Sequence, residues 1–150
     1  MQISNGVTID EDDIACSEQL LAPGCSTVCR EVFNSTAIYQ LEQKRIFQRN
    51  WIYLAHESQL KIPGDFVTAY MGEVPVIVTK GSDGKISASI NSCSHRGLRV
   101  CRADQGNAAR FVCPYHTWTY KVTGELIGIP QQKKVRHAVD KSGLGLKRVP

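Results

Sequence analysis

The pattern of apolar and polar positions divides this chain into one helical stretch and a series of short extended segments. Between Ala37 and Trp51, Ile38, Tyr39, Leu41 and Ile46 fall on one broad face at ~100° per residue, while Glu42, Lys44, Arg45 and Gln48 mostly lie outside it. Asn34-Ser35-Thr36 supplies N-cap oxygens ahead of this run, so the pattern predicts one amphipathic helix whose role is packing. From Trp51 the pattern becomes extended. WIYLAH (51–56), GDFVTAYM (64–71), VPVIVTK (74–80) and KISASI (85–90) are rich in β-branched and aromatic residues, and Gly and Pro separate them. Gly81-Ser82-Asp83-Gly84 suits a tight hairpin turn. Phe111-Val112, Trp118-Thr119-Tyr120 and Glu125 to Ile129 continue the series, with a second turn at Thr123-Gly124. The reading is a mainly β, antiparallel domain preceded by one helix. Residues 1–35 form an irregular arm, and the basic segment Gln131 to Pro150 shows no clear period.

Size and charge narrow the picture further. A chain of 150 residues holds one domain with a real core and is too short for two large ones. No apolar run approaches the ~20 residues of a membrane-spanning helix. The polar start, Met1 to Asp13, ends in an acidic run, the wrong order for a secretion signal, so a cytoplasmic location is expected. The net charge of +4 is unevenly distributed. Residues 1–92 hold 7 Lys/Arg against 11 Asp/Glu, a balance of −4, and residues 93–150 hold 11 against 3, a balance of +8. The basic half is either an ordinary solvated surface or a docking face for an acidic partner. Neither a basic helix nor an aromatic platform accompanies it, which argues against a nucleic-acid partner.

Candidate chemistry concentrates in the basic half. Cys93-Ser94-His95 is followed by seventeen residues and then Cys113-Pro114-Tyr115-His116, so each of two loops offers one thiolate and one imidazole. Asp104-Gln105-Gly106-Asn107 is the expected turn of a hairpin bringing the loops together. Disulfides are not needed in a chain with an ordinary apolar fraction. Two metal readings use two sulfurs and two nitrogens. A structural zinc closes a tetrahedron, and each chain element tends to give it two like ligands. A Rieske-type [2Fe–2S] cluster takes cysteine sulfur on one iron and histidine nitrogen on the other, which suits loops of mixed Cys/His composition. Cys16, Cys25 and Cys29 are read as structural or incidental, Cys101 as a non-ligand, and His56 and His137 as surface residues.

C-x-H-R-G followed by C-P-Y-H-x-W resembles the Rieske domain of the large (alpha) subunit of aromatic-ring-hydroxylating oxygenases. The likeness runs over about residues 36–130, through GDFVTAYMGEVPVIV, NSC and GNAARFVC. It implies an antiparallel β-sandwich or barrel-like domain over residues 36–150, with a two-loop tip where Cys93, His95, Cys113 and His116 hold the cluster. Respiratory Rieske proteins carry an extra cysteine in each loop, and this chain has Leu98 and Tyr115 there. Gly97 and Pro114 fit the shaping of the loops, Trp118 a shield beneath them, and Arg96 either a partner contact or plain surface. Thr117 departs from the family, where glycine is commonest, and threonine resists the backbone angles that glycine permits.

The resemblance further implies an enzyme whose Rieske cluster receives electrons from a ferredoxin or reductase. They pass to a mononuclear Fe(II) in a following catalytic domain, which activates O₂ for ring hydroxylation, with His116 facing the next subunit. Homo-oligomers, or hetero-oligomers with a small subunit, are implied for the full-length protein. After His116 only His137 could begin a two-histidine, one-carboxylate site, so this chain carries the relay without the oxygenation site. It reads as a fragment cut near a domain border. The alternative is a stand-alone Rieske-type ferredoxin.

Overall fold

The computed structural model describes residues 28–132 and 139–150, so Cys16, Cys25, His137 and most of the N-terminal arm lie outside the described residues. A 3₁₀ turn, Arg30–Phe33, precedes helix α1 (Thr36–Glu42). Ser35 caps α1: its Oγ accepts from the Ile38 N–H at 3.4 Å. Ile38 and Leu41 are buried as the periodicity predicts. The helix is nonetheless shorter than expected, because Gln43–Phe47 continues as a π turn. That wider turn takes an extra residue and breaks the angular register, and Ile46 is exposed, as is Tyr39 at the border of the apolar face. Residues up to Trp51 form one compact unit and Ile52–Pro150 another.

In the second unit the expected strand at 51–56 does not form. Its residues alternate in exposure, with Tyr53 out and Ile52 and Leu54 half-buried, but no neighbouring strand completes a ladder. The segment ends at a 3₁₀ turn, Glu57–Gln59, capped by the exposed His56, whose Nδ1 accepts from the Ser58 N–H at 3.2 Å.

The remaining extended segments make two antiparallel sheets. The first contains β1 (Asp65–Met71), β2 (Val74–Lys80), β3 (Ile86–Ile90) and β4 (Gln105–Asn107) in the order β3-β2-β1-β4. The second contains β5 (Arg110–Val112), β6 (Thr119–Lys121) and β7 (Leu126–Gly128) in chain order. Both expected turns form, with Gly84 at φ +78° between β2 and β3 and Gly124 at φ +90° between β6 and β7.

The stretch Asp104–Asn107 is not the hairpin turn its composition suggested. Residues 105–107 pair with β1, Asp65 opposite Asn107 and Val67 opposite Gln105. Local turn chemistry is overridden by tertiary bonds. Thr68 Oγ1 donates to the Ala103 carbonyl at 3.1 Å, and Asn107 Nδ2 reaches Asp65 Oδ1 at 2.8 Å and the Pro63 carbonyl at 3.0 Å. The Asn107 amide and the Ile62 and Lys61 N–H groups hold the Asp65 carboxyl below the usual carboxylate range. Gly106 fits closely here: a Cβ would stand 3.1 Å from the Phe66 ring, which would have to shift by a few tenths of an ångström. The chain thus crosses from one sheet to the other.

The main core lies between the sheets. It gathers Phe66, Ile77, Val100, Phe111, Tyr120, Leu126 and Leu146 with Cys93, Cys101 and Cys113. Phe66 and Phe111 meet edge to face at 5.4 Å and link the two sheets. Within the C-terminal segment, which shows no period, residues 146–149 are held by backbone pairing. Leu146 N–H donates to the Gly124 carbonyl, Ile90 N–H to Lys147 and Val149 N–H to Ala88. Among the described residues no helix is long and apolar enough to cross a membrane.

Candidate metal centre

Two six-residue loops project from adjoining strand ends. Cys93–Leu98 follows β3 after Asn91 and Ser92, and Cys113–Trp118 joins β5 to β6. Both close with the same pair of backbone bonds. In the first, Gly97 N–H donates to the Cys93 carbonyl at 2.8 Å and Cys93 N–H to Leu98 at 2.9 Å. In the second, Thr117 N–H donates to Cys113 at 2.9 Å and Cys113 N–H to Trp118 at 2.8 Å. The fifth residue of each loop lies at positive φ, Gly97 at +74° and Thr117 at +54°. Threonine therefore does occupy the conformation that its β-branch disfavours.

This geometry buries both cysteines, leaves His95 exposed and half-buries His116. Cys93 and Cys113 are buried, unpaired thiols in the main core. The His95 and His116 rings meet at 4.6 Å between centroids and 68° between planes. Trp118 lies parallel to His95, 4.8 Å away at 6°, and Tyr115 packs on His116 at 3.8 Å. The second loop thereby supplies an aromatic neighbour to each histidine. All four donors proposed from sequence are brought to one end of the two sheets.

The donor atoms suit a metal group. His116 Nδ1 is buried with no hydrogen-bond partner, a lone pair available for coordination. Burial first, then the nearby His95 and Arg96, hold the His116 imidazole below its usual pKa, favouring the neutral form that ligates metals. Among the described residues no three His, Cys, Asp or Glu side chains converge on a point where one ion would sit.

Sequence reasoning missed two residues that hold the first loop. Tyr120, fully buried, places its hydroxyl 3.1 Å from Cys93 Sγ and accepts from the Ser94 N–H at 3.1 Å. Burial, followed by the contact with Cys93, pushes the Tyr120 pKa above its usual value, so the phenol keeps its proton and can donate it to the sulfur. Asn91 is 2% exposed. Its Oδ1 accepts from the Val100 and Cys101 N–H groups at 3.0 Å, and its Nδ2 donates to the Cys101 carbonyl at 2.7 Å. The alternation of Trp118-Thr119-Tyr120 signals an inward Tyr120, but nothing in it signals a contact with a sulfur 27 residues away. Cys101 is buried, its thiol donates to the Ala103 carbonyl at 3.6 Å, and burial raises its pKa, as befits an inert core thiol.

The family described as the Rieske [2Fe–2S] domain matches residues 50–140. The alpha subunit of benzene 1,2-dioxygenase from Pseudomonas putida is 46% identical over 101 residues, covering 67% of this chain and 22% of that protein. The alpha subunit of biphenyl 2,3-dioxygenase from Rhodococcus jostii is 42% identical over 114 residues, covering 76% of this chain and 25% of the relative. Among solved structures, naphthalene 1,2-dioxygenase from Rhodococcus sp. bound to indole superposes with a TM-score of 0.82 at 36% identity, over 94% of this chain and 33% of that one. The chain thus spans about a quarter of the length of the curated relatives it matches.

Proposed function

The chain belongs to the Rieske [2Fe–2S] domain family, and from that premise we propose that it is the electron-relay domain of an aromatic-ring-hydroxylating oxygenase. In this reading Cys93 and Cys113 ligate one iron and His95 and His116 the other. The observation that carries it is the pairing of two matched loops, each turning a cysteine into the core and a histidine toward its counterpart. When bound, such a cluster takes up and releases one electron at a time, at a potential of about −150 to +300 mV set by its neutral histidine ligands. The protein's own residues shape that property. Tyr120 donates a hydrogen bond toward Cys93 Sγ, and Trp118, half-buried over His95, limits water at the ring.

The electron donor is a ferredoxin or reductase. The acceptor is a mononuclear non-heme iron in a further catalytic domain, which activates O₂ for ring hydroxylation. The dioxygenase alpha subunits that share this sequence, each about four times as long as the matched part, support that placement. Residues 36–150 form the relay domain in this reading and 1–35 an arm before it. The working protein is a homo-oligomer, or a hetero-oligomer with a small subunit. Its location is the cytoplasm, where the unpaired thiols Cys93, Cys101 and Cys113 stay reduced.

The test is metal content and spectroscopy. Anaerobically purified protein should contain iron and acid-labile sulfide in equal amounts and give a Rieske-type EPR spectrum on reduction. Stoichiometric zinc without iron would sink the assignment.

A further inference from the structure

Beside the two loops lies an arginine-rich surface, flanked in sequence by Glu73 and Asp104, on which Arg99 is held by a tyrosine. The cross-strand register sets Ala69 opposite Val76 and Val76 opposite Ile90. Tyr70 therefore sits at the end of the first sheet where β3 leads into loop Cys93–Leu98. Arg99, directly after that loop, donates from Nη1 to Tyr70 Oη and holds its guanidinium 6.0 Å from the centre of the Tyr70 ring. Residues 93–103 contain Arg96, Arg99 and Arg102 and no acidic residue. All three are exposed, and the Lys121–Glu125 ion pair lies elsewhere, on the second sheet. Exposed His95 and Tyr115 share this end of the domain, Tyr115 with its ring against His116.

An arginine fixed by a tyrosine rather than by a carboxylate has donors to spare and little side-chain entropy left to lose. It is preorganised to take a carboxylate in a forked contact. Arg96 and Arg102 add same-sign charge, which speeds the approach of a negatively charged protein. The exposed His95, one residue before Arg96, places the proposed redox site next to that landing area. We infer that Tyr70, Arg96 and Arg99 form the docking surface for an acidic protein electron donor, with the Tyr70–Arg99 pair as its preformed carboxylate receptor. This rests on the electron-relay reading and names the surface that reading requires.

The test uses the full-length, cluster-loaded protein and, as probe, a reduced acidic plant-type [2Fe–2S] ferredoxin. Stopped-flow reduction is followed at several ionic strengths. Arg99→Gln should lower the second-order rate at low salt by about three- to tenfold, and the deficit should shrink as salt screens the encounter. Tyr70→Phe, which keeps the ring and loses the hydroxyl, should give a smaller loss of the same kind. Lys85→Gln removes the same charge from the β2–β3 hairpin at the far end of the sheet and should leave the rate at wild type. Reduction by dithionite should be alike in all four proteins.

A rate for Arg99→Gln equal to that of Lys85→Gln overturns the inference. So does a salt-independent wild-type rate, or no transfer from the ferredoxin to a cluster that dithionite reduces. Failure of dithionite to produce a Rieske spectrum in the wild type instead overturns the relay reading itself, and the docking surface with it.

Discussion

The loops Cys93–Leu98 and Cys113–Trp118 share one backbone closure and a flanking hydroxyl on the carbonyl of the fifth residue, Ser92 Oγ on Gly97 and Thr119 Oγ1 on Thr117, both at 3.1 Å, and differ in what else holds them. The first is tied down by side chains from outside it. Asn91 bonds the backbone of Val100 and Cys101, Tyr120 bonds Cys93 and Ser94, and Ser94 Oγ reaches the Gly145 carbonyl at 2.7 Å. Its left-handed position is a glycine, with space for a Cβ: the nearest atom is Ser92 Oγ at 3.8 Å. The second loop relies on its own composition. Pro114 restricts its backbone, and its aromatic residues cover both histidines. Its left-handed position is a threonine, so it stores strain that the first loop does not. The same loop closure is therefore reached by external tethering on one side and by local stiffness on the other.

The largest test of the comparison removes a ligand from either side. Cys93→Ser and Cys113→Ser should each abolish cluster assembly, seen as loss of iron and of the EPR signal, while Cys101→Ser should retain both. Equal dependence on both loops is the outcome expected if they hold one shared group.

Smaller perturbations separate the two loops. Asn91→Ala leaves two N–H groups and one carbonyl of the first loop's flank unpaired, and should destabilise the fold by about 2–3 kcal/mol in denaturant unfolding. Tyr120→Phe should cost about 1–2 kcal/mol, because the Ser94 N–H loses its acceptor. The same substitution should lower the midpoint potential, since a hydrogen bond to a ligand sulfur favours the reduced cluster. An unchanged potential would confine Tyr120 to a structural role.

The reciprocal swap at the left-handed positions is expected to have the smallest effect. Thr117→Gly should stabilise by about 1 kcal/mol or less, relieved strain being offset by glycine's greater freedom in the unfolded chain. Gly97→Thr should destabilise by about 1–2 kcal/mol through the backbone alone, since a Cβ meets no close contact there. If both changes prove neutral, the strain difference between the loops is not real.

Much of this was legible in the residues. Short segments bounded by Gly and Pro marked β1 to β3 and β5 to β7, because alternation and turn chemistry are local properties. The Cys/His spacing marked the two loops, and the non-glycine at 117 marked the strained position. Local signals misled where a distant partner decided the outcome. Asp104–Asn107 has turn composition but becomes a strand because β1 offers an open edge and Thr68 and Asp65 supply bonds. WIYLAH has strand composition but finds no partner and forms no ladder.

By itself, then, the sequence determined which loops carry the proposed cysteine and histidine ligands, which segments are extended and where charge accumulates, since residue type and spacing are written locally. Tertiary structure alone decided that Tyr120 meets Cys93 and that Asn91 buttresses the first loop. It also decided that Arg99 is held by Tyr70, and that the chain between the loops crosses from one sheet to the other. Each of these is a contact between residues distant in the chain or an alternative backbone pairing. Such contacts are selected by burial and hydrogen-bond satisfaction over the whole domain, which no local window of residues encodes.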